Sequence, residues 1–206
     1  MRFSKDEIRR ALALPAFDAE AAQQQMIPRP RGVRSPDMAG QPRQGGVLVV
    51  LYDSDGHTRL ILTRRRDDLN DHAGQISFPG GRREEGEDLQ NTALREAEEE
   101  IGLKPTELAI LGRLTCLYIP PTDYEVHPFV AWHDGRPLLR RQVSEVAAIL
   151  EVPLSHLMDP ANRREEPWNY RGMIIQVPFY LVEEHKVWGA TAMMLSEFLE
   201  RLKGVR

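Results

Sequence analysis

The segment from Leu89 to Ile101 constrains this chain more than any other. Leu89, Ala93, Ala97 and Ile101 recur every four residues, with Leu94 beside them. That is a helical period, and its apolar stripe must face a core. The opposite side carries Glu96, Glu99 and Glu100, which are three and four apart and therefore neighbours on a helix surface. Glu98 adds a fourth carboxylate near the C-terminal end, where the helix dipole already disfavours negative charge. The pattern predicts a helix that buries one face and crowds like charges on the other. A bound cation relieves that crowding. Donor sets made only of carboxylate oxygen suit a hard ion such as Mg2+ or Mn2+. Mg2+ is usually held by a few carboxylates together with substrate phosphates, so the cluster points to phosphate chemistry.

The same helix sits in a longer frame. Gly81 is followed by Glu87, then Arg95-Glu96, Glu99-Glu100, Gly102 and Leu103, all within 23 residues. This spacing resembles the Nudix box, with Ala97 where that family prefers a larger aliphatic residue. The resemblance implies an α/β fold, the Nudix α/β/α sandwich with a mixed central sheet. It implies a metal-dependent hydrolase of a nucleoside diphosphate linked to another moiety. Glu96, Glu99 and Glu100 are then the metal-ligand candidates. Glu87 and Arg95 support them, and Arg95 can pair with Glu99 at i,i+4 and orient it.

Length and composition fit this reading. At 206 residues a single domain is expected, with enough chain for a sizeable core. A net charge of −4 argues against a protein that holds long nucleic acid. The longest apolar runs, Val47–Leu51 and Met173–Val182, fall far short of a membrane span, and no secretory signal is legible. Cys116 is the sole cysteine, which excludes an intrachain disulfide and suits a reducing cytoplasm.

Ser4 and Glu7 form a capping-box signature for a first helix ending near Pro15, and Ala19 to Gln25 extends or adds helix. Pro28, Pro30, Pro36 and Pro42, interleaved with Arg29, Arg31, Arg34 and Arg43, read as an ordered arm. The arm is laid against the domain or against a twin subunit, which leaves a homodimer open. We therefore expect residues 1–44 to be helix and arm, and 45–206 to be the hydrolase domain. Strands are expected at Val47–Tyr52 and Leu60–Thr63 around a turn at Asp53–Gly56, and at Leu108–Tyr118, Val126–Trp132 and Met173–Val182. Val143–Leu150 is ambiguous, and Val152-Pro153-Leu154 starts another segment. Ala192, Leu195, Phe198, Leu199 and Leu202 mark an amphipathic closing helix.

Ahead of the box stand Thr63, Arg65, Gly74, Phe78, Pro79, Gly80 and Gly81. They resemble the extra signature of the coenzyme A pyrophosphatase subfamily, from which Arg66 and Asn70 depart. Ile119-Pro120-Pro121-Thr122, Glu145-Val146 and Val187–Ala192 are similar to later segments of it. The implied reaction is hydrolysis of the pyrophosphate of coenzyme A or acyl-coenzyme A, giving 3′,5′-ADP and 4′-phosphopantetheine or its acyl form. Such a substrate needs fixed cations, and guanidinium forks match phosphate oxygens. Arg64, Arg65 and His72 are the candidate substrate-binding side chains. On a strand Arg64 and Arg66 share one face and Arg65 takes the other. Gly80 and Gly81 allow backbone to approach metal and phosphate closely. Candidate catalytic residues are Glu99, Glu100, Glu145 and Arg95, with the general base unassigned among the carboxylates. The alternatives are a Nudix enzyme for nucleotide sugars, dinucleotides or nucleoside triphosphates, and a non-catalytic Nudix ligand sensor. The complete set of box carboxylates favours an enzyme.

Overall fold

The computed structural model describes residues 1–30, 41–69, 73–170 and 172–206. Helices α1 (Lys5–Leu12) and α2 (Ala19–Gln24) come first. Strands β1 (Arg43–Ser54), β2 (His57–Arg65), β3 (Ile76–Ser77) and β4 (Gly80–Arg82) lead into helix α3 (Leu89–Ile101). Then follow β5 (Leu108–Arg113), β6 (Leu117–Ile119), β7 (Tyr124–His133), β8 (Val146–Pro153) and a short α4 (Leu154–Leu157). Strands β9 (Arg163–Tyr170), β10 (Met173–Val182) and β11 (His185–Trp188) precede α5 (Gly189–Lys203).

Strand β1 organises the molecule because both of its faces are apolar. Val49 and Leu51 point into a core shared with Ile8 of α1 and Leu195, Phe198 and Leu202 of α5. Leu48, Val50 and Tyr52 point the other way, onto Ala93, Ala97 and Ile101 of α3. A strand covered on both faces reads as one continuous apolar run. Its neighbours make the sheet mixed. β1 runs parallel to β7, from Arg43 opposite Tyr124 to Leu51 opposite Trp132. It runs antiparallel to β2 and β4. The hairpin to β2 closes through Asp55 and Gly56, at φ 53° and 74°, the Asp-Gly chemistry that a tight two-residue turn favours. The eight-stranded sheet follows the order β3-β2-β1-β7-β5, with β4 on β1, β6 on β7 and β8 on β2. Helix layers on its two faces give the expected α/β/α sandwich.

Several elements differ from expectation. The capping box is present, Glu7 N–H donating to Ser4 Oγ (3.2 Å) and Ser4 N–H to Glu7 Oε2 (2.8 Å), but α1 stops at Leu12. The N-terminal residues are not an appendage, since Phe3, Ile8, Ala11 and Met26 are completely buried in the α5 core. Strand pairing begins at Arg43, two residues before the expected boundary at Gly45. Of the expected arm, residues 31–40 lie outside the described residues; Arg29 makes a β-bridge to Gln176. Leu108–Tyr118 is two strands on the same partner: β5 ends at Arg113 opposite Phe129, β6 begins at Leu117 opposite Val126, and residues 114–116 between them belong to neither strand. The ambiguous Val143–Leu150 is a turn over 143–145 followed by β8, which runs on through Val152 and Pro153, so the new segment starts at Leu154, as a helix. A separate three-stranded sheet, β11-β10-β9, was not expected. Its edge strand is polar and contains Pro167, a residue that sheet edges tolerate.

One buried polar junction fixes the link between β5 and β6. Glu197 of α5, fully buried, accepts from Gln23 Nε2 (2.8 Å), Thr115 N–H (3.1 Å), Thr115 Oγ1 (2.9 Å) and Arg201 Nε (2.9 Å). A buried carboxylate so fully satisfied orders its partners. Among the described residues no helix is long and apolar enough to cross a membrane.

Candidate active site

The site forms where α3 crosses β1 and β4, and glycines make that crossing close enough. A Cβ on Gly46 would stand 2.3 Å from the Leu89 carbonyl oxygen, and one on Gly80 would stand 2.5 Å from the Gly46 carbonyl oxygen. A Cβ on Gly45 would meet the Gly81 carbonyl oxygen at 2.5 Å, and one on Gly81 would meet the Glu96 carboxylate at 2.4 Å. Glu96 thus lies directly on the bare backbone of Gly81. Asp88 caps the helix, accepting from Gln90 N–H at 2.9 Å, and Gly102, left-handed at φ 76°, ends it.

Beside this crossing is a cavity of about 410 Å³ lined by Arg65, Gly80, Gly81, Arg82, Glu96, Glu99, Glu100, Gln142 and Glu145. The box carboxylates and Glu145, 45 residues beyond Glu100 in sequence, therefore share one cavity. Backbone contacts bring them together. Gln142 N–H donates to the Glu100 carbonyl (2.8 Å), which docks the segment before β8 onto the end of α3. Arg66 N–H donates to the Glu145 carbonyl (2.9 Å), which ties the same segment to the end of β2. Arg65 Nη1 stands 3.7 Å from Glu145 Oε2.

Arg95 organises the carboxylates. It donates to Glu87 Oε1 (3.0 Å) and Oε2 (3.2 Å), to Glu96 Oε1 (2.9 Å), to Glu99 Oε2 (3.2 Å) and to the Arg82 carbonyl (3.2 Å). The Arg95 guanidinium, helped by the Thr92 hydroxyl and the Glu84 N–H, pulls the Glu87 carboxyl down to about 2. Burial pushes the Glu96 carboxyl up. Burial, with the charges of Glu96 and Glu145 added to it, pushes Glu100 up to about 8. Glu100 Oε2 is buried and makes no hydrogen bond.

An unpartnered buried carboxylate oxygen among like charges is costly unless a cation compensates it. The residues present therefore fit a hard divalent ion, with Glu96, Glu99 and Glu100 as the candidate donors. The ligand oxygens of these three are not all within 4.8 Å of one another. Arg95 Nη1 holds one oxygen of Glu96 and one of Glu99.

Of the sequence-based candidates, Arg65, Gly80, Gly81, Glu96, Glu99, Glu100 and Glu145 line the cavity and Arg95 stands behind it. Arg64 does not line it. Its guanidinium is bound by Asp67 at 2.6 and 2.7 Å, and strand alternation points it away from the Arg65 side. Arg66 pairs with Asp68 and donates to the Val143 carbonyl (2.8 Å). His72 and Asn70 lie outside the described residues. Two lining residues escaped the sequence reading. Arg82 was findable, since it directly follows the glycine pair; Gln142 carries no sequence signal.

Comparison with known proteins places the chain among relatives. A NUDIX domain model matches residues 42–173. The Nudix hydrolase NudL of Photorhabdus laumondii is 34% identical over 162 residues, covering 78% of this chain and 86% of the relative. NudL of Yersinia pestis is 30% identical over 182 residues, covering 87% of this chain and 90% of the relative. Among solved structures, a MutT/nudix family protein from Enterococcus faecalis superposes with a TM-score of 0.55 at 14% identity, over 99% of this chain and 76% of that one. A MutT protein from Methanosarcina mazei gives 0.52 at 18% identity, over 81% and 97%. The two structural likenesses bear on fold alone.

Proposed function

This chain belongs to the Nudix family and is a hydrolase of pyrophosphate bonds, and from that premise we propose that its substrate is coenzyme A or a short acyl-coenzyme A. The observation that carries the reading is one cavity holding both charges. Arg65 and Arg82 line it together with Glu96, Glu99, Glu100 and Glu145, and β2, which ends in Arg65, bears the signature Thr63-x-Arg65. The family uses divalent metal ions; the oxygen-only donor set here favours Mg2+ or Mn2+.

When bound, the metal polarises phosphoryl oxygens and lowers the pKa of attacking water. The chain's own residues supply the rest. Arg65 and Arg82 bind and orient the diphosphate through charge-assisted hydrogen bonds. Glu145 takes the proton from water, because Arg95 engages Glu96 and Glu99 while Glu100 is buried. Water oxygen bonds to one phosphorus, the bridging P–O bond breaks, and 3′,5′-ADP and 4′-phosphopantetheine leave.

The test is a matched kcat/KM comparison of coenzyme A, 3′-dephospho-coenzyme A, ADP-ribose, NADH and dATP, with products identified by mass. Coenzyme A is expected to lead. An arginine contact to its 3′-phosphate is worth roughly 1.5–3 kcal/mol, or about tenfold or more over the dephospho form. Equal rates on those two would remove the 3′-phosphate argument. No cleavage of coenzyme A beside brisk cleavage of another diphosphate would sink the substrate assignment and leave a general Nudix pyrophosphatase. That alternative draws on Arg66, which departs from the signature and is occupied by Asp68.

A further inference from the structure

We propose that Cys116, Glu125 and His127 form a second metal site, for a sulfur-seeking divalent cation of the Zn2+ class. The inference is independent of the substrate reading. Strand register builds the site. β6 pairs antiparallel with β7 as Leu117 opposite Val126, Tyr118 opposite Glu125 and Ile119 opposite Tyr124. Cys116, one residue before β6, therefore stands opposite His127. Glu125 and His127 are two apart on β7 and project from the same face.

One sulfur, one ring nitrogen and one carboxylate oxygen come within 4.8 Å of one another. Cys116 Sγ lies 3.6 Å from His127 Nε2. Bonds of about 2.3 Å to sulfur and about 2.05 Å to nitrogen, at a tetrahedral angle, hold those two atoms about 3.6 Å apart. Glu125 Oε2 is 4.0 Å from the same nitrogen. Tetrahedral geometry asks for about 3.4 Å, a small rotation for a partly exposed carboxylate. Gln44 Nε2 donates to that oxygen at 3.1 Å and orients it, as outer partners of metal ligands do. Cys116 is presented on fixed backbone, because the preceding Thr115 is anchored to buried Glu197. Its exposure leaves a fourth position for water.

The donor types separate this site from the carboxylates of α3. Thiolate and imidazole suit Zn2+ and its neighbours, whereas oxygen donors suit Mg2+. Gly81 and His127 flank Gly46 from opposite sides, through β4 and β7. Their backbones are thus two strand spacings apart, roughly 10 Å. A cation here clips β6 onto β7.

The experiment is a Co2+ titration of the chelator-stripped, phosphine-reduced full-length protein, followed by displacement with Zn2+. A thiolate-to-cobalt charge-transfer band is expected in the wild type and in Glu99→Gln, saturating at one ion and lost on adding Zn2+. It is expected to be absent from Cys116→Ser. In His127→Ala the apparent affinity should fall by roughly 100-fold or more, since even outer partners of a ligand set cost 10–100-fold. Circular dichroism confirms that each variant is folded. No band in the wild type would overturn the proposal. A band of unchanged affinity in His127→Ala would also overturn it, because the thiol alone would then be capturing cobalt.

Discussion

Replacing Glu100 with glutamine separates stability from catalysis, and the structure gives the size and sign of the effect. The Glu100 carboxyl is raised from 4.5 to about 8 by burial and by the charges of Glu96 and Glu145. An acid that binds its proton more tightly when folded releases it on unfolding. Its contribution to stability is therefore greatest below pH 4.5 and declines as pH rises towards about 8. At 1.36 kcal/mol per unit, the gap amounts to roughly 3 kcal/mol at pH 7 and roughly 5 kcal/mol above pH 8. Glutamine keeps the shape and cannot ionise. In EDTA, Glu100→Gln should match the wild type near pH 4.5 and exceed it by a few kcal/mol at pH 8.5. For a chain of this size each kcal/mol moves Tm by about 2–4 °C, so a rise of roughly 10–20 °C is expected at pH 8.5. Added Mg2+ should raise the wild-type Tm more than the variant's, and turnover should fall by orders of magnitude in the variant. The assay is thermal unfolding by circular dichroism from pH 4.5 to 9, with and without metal. A Tm difference that does not change with pH, or a wild type more stable than the variant at pH 8.5, would refute the reasoning.

Other consequences are simpler to check. Gly81→Ala places a methyl group on the Glu96 carboxylate, which Arg95 already holds at 2.9 Å. The Mg2+ concentration for half-maximal rate should rise about tenfold or more, and an unchanged Mg2+ dependence would show that Glu96 need not lie there. Arg95→Lys cannot span Glu87, Glu96, Glu99 and the Arg82 carbonyl with one ammonium; metal affinity and turnover should drop roughly 10–100-fold, whereas wild-type kinetics would make the guanidinium dispensable. Glu145→Gln should lower kcat more than it raises KM, and a change in KM alone would take proton abstraction away from Glu145.

Legibility in the sequence followed locality. Helix α3 and its carboxylates lie in one contiguous segment, so period and spacing disclosed them together. Glu145 was reachable only through resemblance, because nothing local says that a turn 45 residues after Glu100 folds back onto the end of α3. Gln142 docks there by its backbone N–H, which any residue but proline provides. The contrast between Arg64 and Arg65 followed from strand alternation, but the capture of Arg64 by Asp67 belongs to the loop after the strand. Residues 28–43 read as an arm outside the domain because proline and arginine dominate them. The segment ahead of them carries the buried Phe3, Ile8, Ala11 and Met26, only Ile8 and Ala11 of them within a helix, spaced too widely to announce a core on their own. β9 was illegible, since an edge strand with few apolar residues has no period to find.

The glycine crossing beneath Glu96 has a consequence for how this protein can vary. Gly45 is barred from a side chain by the carbonyl of Gly81, Gly80 by that of Gly46, Gly46 by that of Leu89, and Gly81 by Glu96. In three of the four cases the obstacle is backbone, which no second substitution can trim away. Compensating pairs are therefore closed to Gly45, Gly46 and Gly80, and only Gly81, whose obstacle is a side chain, has a partner that could yield. A saturation scan scored on folding should show the first three as an intolerant block. Gly81 should stand apart from them, tolerant in folding and intolerant in turnover.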